Sequence, residues 1–320
     1  MAGTYRIYGN DYSPYSTKIL AYFRYKGIPH EWLTNLRDDD YRKFARLPLV
    51  PLVITPEPAG LQDSTPIIEH FETEFPEPPI HPSDPAAAFL SALLEEYGDE
   101  WGNKWMFHYR WTSEDDRIHS ASRASGRKFK RGEGAGERMF QRLYFVGSSP
   151  QTAEQIENSF QNTIALIDTH LERRPYLMGG RPCFGDFGLA HQLYQASIDL
   201  TAGELIQSRT SNLGAWIKRM LDPRAEGEFE PLDALLPTLE PLLEQDVGRL
   251  FLPWSDANAK AIAAGEEEFR VDLAGRTWTQ KPQKYHAKSL GVLRRRYAEV
   301  SDRSALDPIL ERTGCLEWVR

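Results

Sequence analysis

The sequence predicts an α+β protein in which a small mixed α/β domain precedes a larger all-helical one. Three observations predict it. Residues 4–75 alternate strand and helix signals in the order β-α-β-(α)-β-β-α. Five prolines fall between Pro76 and Pro85, a stiff, extended linker of the kind that separates domains. Beyond it, apolar residues recur every three or four positions in segment after segment, the spacing of helices buried on one face. The predicted division is 1–77, 85–247 with a polar insertion at 113–136, and a C-terminal extension, 248–320, packed on the helical domain.

The first strand is Thr4 to Tyr8, ended by Gly9-Asn10. Asp11-Tyr12-Ser13-Pro14 then opens a helix, because the missing N–H of Pro14 costs nothing in a first turn. Ile19, Leu20, Phe23 and Ile28 follow near helical spacing, and Gly27 is a good C-terminal stop. His30 to Leu33 forms a second strand, so the first pair is parallel and its crossover right-handed. Leu49 to Ile54 is a third strand with Pro51 near its start. Ala59-Gly60 turns into a brief fourth strand at Leu61 to Asp63, and Ser64 caps a helix containing Ile67, Ile68 and Phe71.

Asp84 and Pro85 start the first long helix of the second domain, with Leu90, Leu94, Tyr97, Trp101, Trp105 and His108 along one face. Ser113 to Gly136 is polar and rich in Gly and Ser. Its centre, Arg117 to Arg131, has six Lys/Arg and no acid. A solvated loop is the plain expectation, and an anion-binding lid the sharper one. Thr152 to Gln155 has the form of a capping box before Ile156, Phe160, Ile164, Ile167 and Leu171. A further helix starts near Cys183-Phe-Gly-Asp186, and Asn212 to Met220 and Leu232 to Leu243 form shorter ones. In the extension, Phe269 to Leu273 and Thr277 to Thr279 flank Ala274-Gly275 as a hairpin. A basic helix with Leu290, Leu293 and Tyr297 on its apolar side then packs on the body.

Composition excludes several classes of function. With 320 residues, 41% hydrophobic and 26% charged, the chain is neither disordered nor a disulfide scaffold. A net charge of −8 and a pI near 5.6 disfavour general nucleic-acid binding. No apolar run of about 18 residues predicts a membrane span. The start, MAGTYRIYGN, lacks the apolar stretch of a secretory signal. Cys183 and Cys315 read as free thiols in a reducing cytosol, and His108 and His119 have no partner at metal-ligand spacing, so no metal is expected.

A strand, then Ser-Pro-Tyr-Ser opening a helix, then Val50-Pro51 at a third strand, then Asp63-Ser64 before a third helix, resembles the glutathione-binding domain of soluble glutathione transferases. Cys183-Phe-Gly-Asp186 resembles the capping box in that family's helical domain. The resemblance implies a thioredoxin-like N-terminal domain, an all-helical C-terminal domain, glutathione as co-substrate, and a homodimer. It covers residues 4–75 well, 85–245 more loosely, and says little about the insertion or the extension.

Physical chemistry supports each implied role. A helix N-terminus carries unpaired N–H groups and partial positive charge, so Ser64 and its helix start suit the γ-glutamyl carboxylate, with Asp63 beside its ammonium. The alternative is that Ser64 only caps its helix. The resemblance implies that Val50 aligns the cysteinyl part through its backbone and that the bond to Pro51 is cis. Ser13 stands where related classes place a catalytic Cys or Ser. A hydroxyl donor there stabilises the thiolate, whose free pKa is near 8.5. Tyr12 and Ser16 are alternatives, and a plain N-cap is the fourth reading of Ser13. Trp105, His108, Tyr109 and Trp111 would line the pocket of a small hydrophobic electrophile, unless they pack as core. Two positions depart from the family pattern. Leu49 stands where a Lys or Gln often reaches the glycine carboxylate, and Cys183 stands where the helical-domain box usually has Ser or Thr. The expected reaction is thiolate attack on an electrophilic carbon. Alternatives are a glutathione-dependent lyase, dehalogenase or isomerase, and a non-catalytic binding or scaffold protein. Ser13 in place of Cys argues against a disulfide reductase.

Overall fold

The computed structural model describes residues 3–284 and 286–320; the first two residues of the 1–77 unit lie outside the described residues. The N-terminal part runs β1 (Tyr5–Tyr8), α1 (Pro14–Lys26), β2 (His30–Leu33), α2 (Asp39–Phe44), β3 (Leu52–Ile54), β4 (Gly60–Gln62) and α3 (Ser64–Glu74). The sheet order is β2-β1-β3-β4, with β1 parallel to β2 and antiparallel to β3, and β3 antiparallel to β4. Side chains alternate across it, as the pleat requires. Tyr5, Ile7 and Val53 enter the main core, whereas Tyr8, Leu52 and Ile54 form a second cluster with Tyr41 on the other face. The third strand is shorter than its apolar run, because Leu47 and Leu49 are exposed and the chain extends through a cis Val50–Pro51 bond before pairing begins. The linker also holds a cis bond, Glu77–Pro78.

The helical part begins with a rod of α4 (Pro85–Tyr97), a π-helical segment (Gly98–Gly102) and α5 (Asn103–Thr112). Then come α6 (Glu114–Ser125), α7 (Glu137–Phe140), α8 (Ala153–His170), α9 (Phe184–Ser197), α10 (Leu200–Arg209), α11 (Leu213–Arg219) and α12 (Leu232–Leu242). Helices α4 and α9 pack backbone to backbone. A Cβ on Gly98 would lie 2.6 Å from Leu189 N, and one on Gly188 would lie 2.6 Å from Glu95 O, so both positions require glycine. At the start of α9 the Cys183 N–H donates to Asp186 Oδ2 (2.8 Å), and Asp186 Oδ1 accepts from Leu177 N and Trp216 Nε1. The carboxylate thus supplies the stabilisation that a thiol provides poorly.

Two local expectations fail. The polar insertion is no loop over its first half but the twelve-residue α6. Its N-cap, Ser113, accepts from Asp116 N (3.1 Å), acids fill its first turn, and Gly126 ends it at φ 69°. Of its six cations, Arg131 pairs with Glu114 and Asp115, Arg127 with Glu133, and Arg117 covers the Phe140 ring. The box at Thr152 is also absent. Thr152 is fully buried, and its hydroxyl donates to Gly147 O (2.5 Å) instead of capping α8.

The extension continues α12 as a second π-helical segment (Leu243–Phe251). It runs on through α13 (Leu252–Ala264), the hairpin β5 (Phe269–Leu273) and β6 (Arg276–Gln280), α14 (Ala287–Glu299), α15 (Leu306–Arg312) and α16 (Leu316–Val319). Trp254 and Trp278 pack on Trp101 at 5.8 and 5.5 Å between ring centroids, and both indoles donate to Gln280 Oε1. The apolar side of α14 sits against the body through Tyr297 on Phe89. One apolar cluster runs through all three parts of the chain.

Candidate functional site

Strand register gathers the residues singled out in the N-terminal part. Tyr8, the last residue of β1, pairs with Leu52, and Leu52 pairs with Gln62, the last residue of β4. The loop into α1, the cis Val50–Pro51 bond and the Asp63–Ser64 step therefore leave the same end of the sheet from three adjacent strands. Two strand spacings separate β1 from β4, about 10 Å. An extended tripeptide spans about the same length.

Ser13 is the N-cap of α1, where its Oγ accepts from Ser16 N at 3.3 Å. Accepting leaves its own O–H free to donate to a ligand. Tyr12 differs, because its hydroxyl already donates to Arg123 O of α6 (2.8 Å) and its ring lies under the Arg123 guanidinium. Ser16 Oγ has no partner among the described residues but is fully buried. The loop before Ser13 is fastened to the helical part. Arg110 donates to Tyr12 O (3.1 Å) while pairing with Asp199 (2.8 Å) and donating to both Gln195 oxygens. Gln195 in turn donates to Asp11 O (2.8 Å).

At the start of α3 the structure corrects the expected cap. Asp63 holds the N-cap position with no side-chain cap bond, and Ser64 is already the first helical residue. Asp63 has φ 89°, a region that side-chain-bearing residues rarely adopt and that costs about 1–3 kcal/mol. The N–H groups of Ser64 and Thr65 have no carbonyl four residues back to bond, and Pro66, the third position, has no N–H at all. Ser64 is buried, and its hydroxyl donates to Asp99 Oδ2 (3.4 Å). Behind it lies a buried charge cluster. Lys18 of α1 pairs with Asp99 (2.7 Å) and with Glu95, and Thr65 donates to Glu95 (2.6 Å). One ammonium faces two carboxylates, with buried Glu96 beside them. Burial, together with the neighbouring carboxylate of Glu95, pushes the Asp99 and Glu96 carboxyls up.

The aromatic wall expected on α5 is mostly core. Trp105 is 1% exposed, donates to Ser159 Oγ (3.0 Å) and packs on Tyr97 and Phe160. Tyr109 packs on the same Phe160. His108 is buried between Ser148 (2.7 Å) and Glu157 (3.2 Å), and burial lowers its pKa. These three therefore form no pocket wall, because α5 turns the stripe that carries them toward α8. Trp111 alone is half-exposed, beside Phe107 and under Gly136 of the insertion. Among the described residues no group of His, Cys, Asp and Glu gathers to hold a metal, and no helix is long and apolar enough to cross a membrane.

Sequence reasoning missed Lys18, Asp99 and Arg110. All three stand off the apolar stripes of their helices, so the spacing pattern gives them no place in the core. Their signal was a concentration of charge, Glu95-Glu96 and Asp99-Glu100, inside an otherwise apolar helix.

Two segments of the chain match known families. Residues 7–79 match the family described as glutathione S-transferase, N-terminal domain, and residues 139–219 the family described as glutathione S-transferase, C-terminal domain. A search of curated proteins found no match. Similar solved structures include a glutathione S-transferase from Methylobacterium radiotolerans in complex with glutathione sulfonate (20% identity, TM-score 0.45, 72% of this chain and 99% of that one). Another is a glutathione S-transferase from Rhodospirillum rubrum (15% identity, TM-score 0.47, 89% and 99%). A third is a beta-etherase from a Sphingobium species (18% identity, TM-score 0.49, 74% and 98%).

Proposed function

We propose that this chain, which belongs to the glutathione S-transferase superfamily, binds glutathione at the end of its sheet and transfers the thiolate to a small hydrophobic electrophile. The observation that carries this reading is the strand register. It brings the loop that carries Ser13, the Val50–Pro51 bond and the start of α3, with the N–H groups of Ser64 and Thr65, to one end of the sheet, whose three strand ends span about the length of one tripeptide. In this reading Ser64 and Thr65 hold the γ-glutamyl carboxylate, and Asp63, backed by Asp99, faces the ammonium. Val50 and Pro51 align the cysteinyl part, and Ser13 donates to the sulfur. A donated hydrogen bond favours the thiolate and lowers its pKa toward neutrality. The thiol proton passes to solvent on binding, and the thiolate then attacks the electrophilic carbon, either expelling a leaving group or adding to an activated double bond that solvent then protonates. Leu49 lies 56% exposed and offers no charge to the glycine carboxylate. Trp111 remains the aromatic residue proposed for the electrophile side. The cytosol and a homodimer belong to the same reading, and sedimentation of the full 36.6 kDa chain tests the second.

Calorimetric titration of glutathione into the wild type and Ser64→Ala tests the site. Saturable binding, weakened about tenfold in the variant, is expected from losing a buried hydrogen bond at the helix start. Ultraviolet absorbance of the bound thiolate at neutral pH is expected in the wild type and lost in Ser13→Ala with binding retained. No binding of millimolar glutathione to the wild type overturns the reading and leaves a scaffold.

A further inference from the structure

A second cleft, of ≈ 410 Å³, opens where α8, the π-helical segment Leu243–Phe251 and the turn of the β5–β6 hairpin meet. None of its lining residues belongs to the site described above. Its volume lies within the usual range for small-molecule pockets, about 300–1,000 Å³.

Each wall departs from ordinary local structure. The nine-residue π segment is a rare geometry that concentrates at functional sites. The hairpin turn places Ala274 at φ 53°, where glycine or asparagine is the usual residue. On α8, Gln155, Asn158, Ser159 and Asn162 follow the i, i+3, i+4, i+7 spacing and form one polar stripe along the cleft.

The hydrogen bonds of that stripe define the occupant. Gln155 is 7% exposed, and its amide nitrogen lies near Leu273 O (3.4 Å) and Arg276 O (3.3 Å). Two carbonyls on one side require the NH₂ there, so the oxygen is on the other side. That buried oxygen has no partner among the described residues. Asp246, 1% exposed, is held by the neutral groups Ser159 (2.7 Å) and Asn162 (2.5 Å), with no cation paired to it among the described residues. Burial pushes its carboxyl up to about 6. Both Asp246 oxygens are thus satisfied, and the Gln155 oxygen is the acceptor left without a donor among the described residues. At the rim, Arg249 pairs with Glu244 and Arg276 with Glu154, so the mouth carries little net charge. Its apolar walls are aliphatic, Leu250 and Leu273, and no aromatic ring among the described residues lines it. A nucleobase or flat aromatic ligand would therefore find no stacking surface. A hydroxyl donates and accepts at once, which suits alternating amides, a carboxyl and neutralised guanidiniums.

We propose that this cleft binds a small, neutral, polyhydroxylated molecule of monosaccharide to disaccharide size, which donates to Gln155 Oε1 and bonds the Asn158 and Gln245 amides. The assignment does not depend on the glutathione reading.

The test titrates glucose, myo-inositol and trehalose, with AMP as a stacking ligand for contrast, into the full chain and into Gln155→Met and Asn158→Ala. Saturable millimolar binding of at least one polyol is expected, weakened about tenfold in both variants by the lost hydrogen bonds. Glutathione titrations of the same variants should be unchanged, which separates this site from the first. If Gln155→Met fails to fold, Asn158→Ala decides. Absence of saturation with all three polyols, saturation with AMP alone, or polyol binding undiminished in a folded variant overturns the proposal.

Discussion

Lys104 shows how strongly one side chain departs from what its type suggests. Its ammonium nitrogen is fully buried, lies 3.5 Å from the centroid of Trp254 and is also within 6 Å of Trp101 and Trp278. It has no hydrogen-bond acceptor among the described residues. Burial lowers its pKa well below the ordinary lysine value. Between that lowered value and about 10.4 the folded protein then binds fewer protons here than the unfolded chain. Stability therefore rises as pH increases toward about 10.4 and is penalised below it. We expect Lys104→Met to raise the unfolding free energy at pH 7 by roughly 1–3 kcal/mol and to flatten its pH dependence between neutrality and pH ~10. Urea titrations across that range are the measurement. Equal slopes in the two proteins would show that the amine is charged in the cage.

Helix α5 matters at the next scale because it fixes a loop it does not contain. Arg110 is 4% exposed and holds Asp199, Gln195 and the Tyr12 carbonyl together, two residues' reach from Ser13. Removing it leaves Asp199 buried with the Ser120 hydroxyl alone. Arg110→Met should cost about 3 kcal/mol, the usual penalty for breaking a buried ion pair. It should also raise the pKa of enzyme-bound glutathione by loosening the Ser13 loop, an effect read from thiolate absorbance against pH. Lost stability with an unchanged thiol pKa would confine Arg110 to packing. The same scale shows why α6 escaped the sequence reading. Its caps, Ser113 and Gly126, and its acidic first turn are all present, but its only large apolar residue, Ile118, gives no stripe. With only Ala121 and Ala124 besides, a helix held by caps and by contacts such as Ser120 on Asp199 leaves little periodic signal.

Across the whole molecule, the extension completes the core. Phe251, Trp254, Phe269, Trp278, Leu290 and Leu310 belong to the same cluster as Tyr97, Trp101 and Trp105. Deleting residues 248–320 would uncover Trp101 and Lys104 and remove the partner of Phe89. We expect the deleted chain to lack a cooperative thermal transition, and the full chain to melt in one. Two separated transitions in the full chain would show instead that the extension folds as a unit of its own.

The order of strands and helices in residues 4–75 was determined by the sequence alone, because period-two and helical patterns, Pro14 and Gly27 act through local sterics. So was the position of Ser13 at a helix start. The family likeness rested on short local motifs of the same kind. Only the tertiary structure decided which charged residues are buried. Lys18, Asp99, Lys104 and Arg110 lie off the one apolar face a helix pattern shows, whereas α1, the π-helical segment and α5 are enclosed on more than one side. Tertiary packing also turned Trp105, His108 and Tyr109 into core rather than pocket, since the direction of a stripe is set by the neighbour that covers it. Register decided the site itself. Hydrogen bonding from Tyr8 to Leu52 to Gln62 gathers three loops, up to some fifty residues apart in the chain, at one sheet end, a long-range pairing that no local pattern encodes.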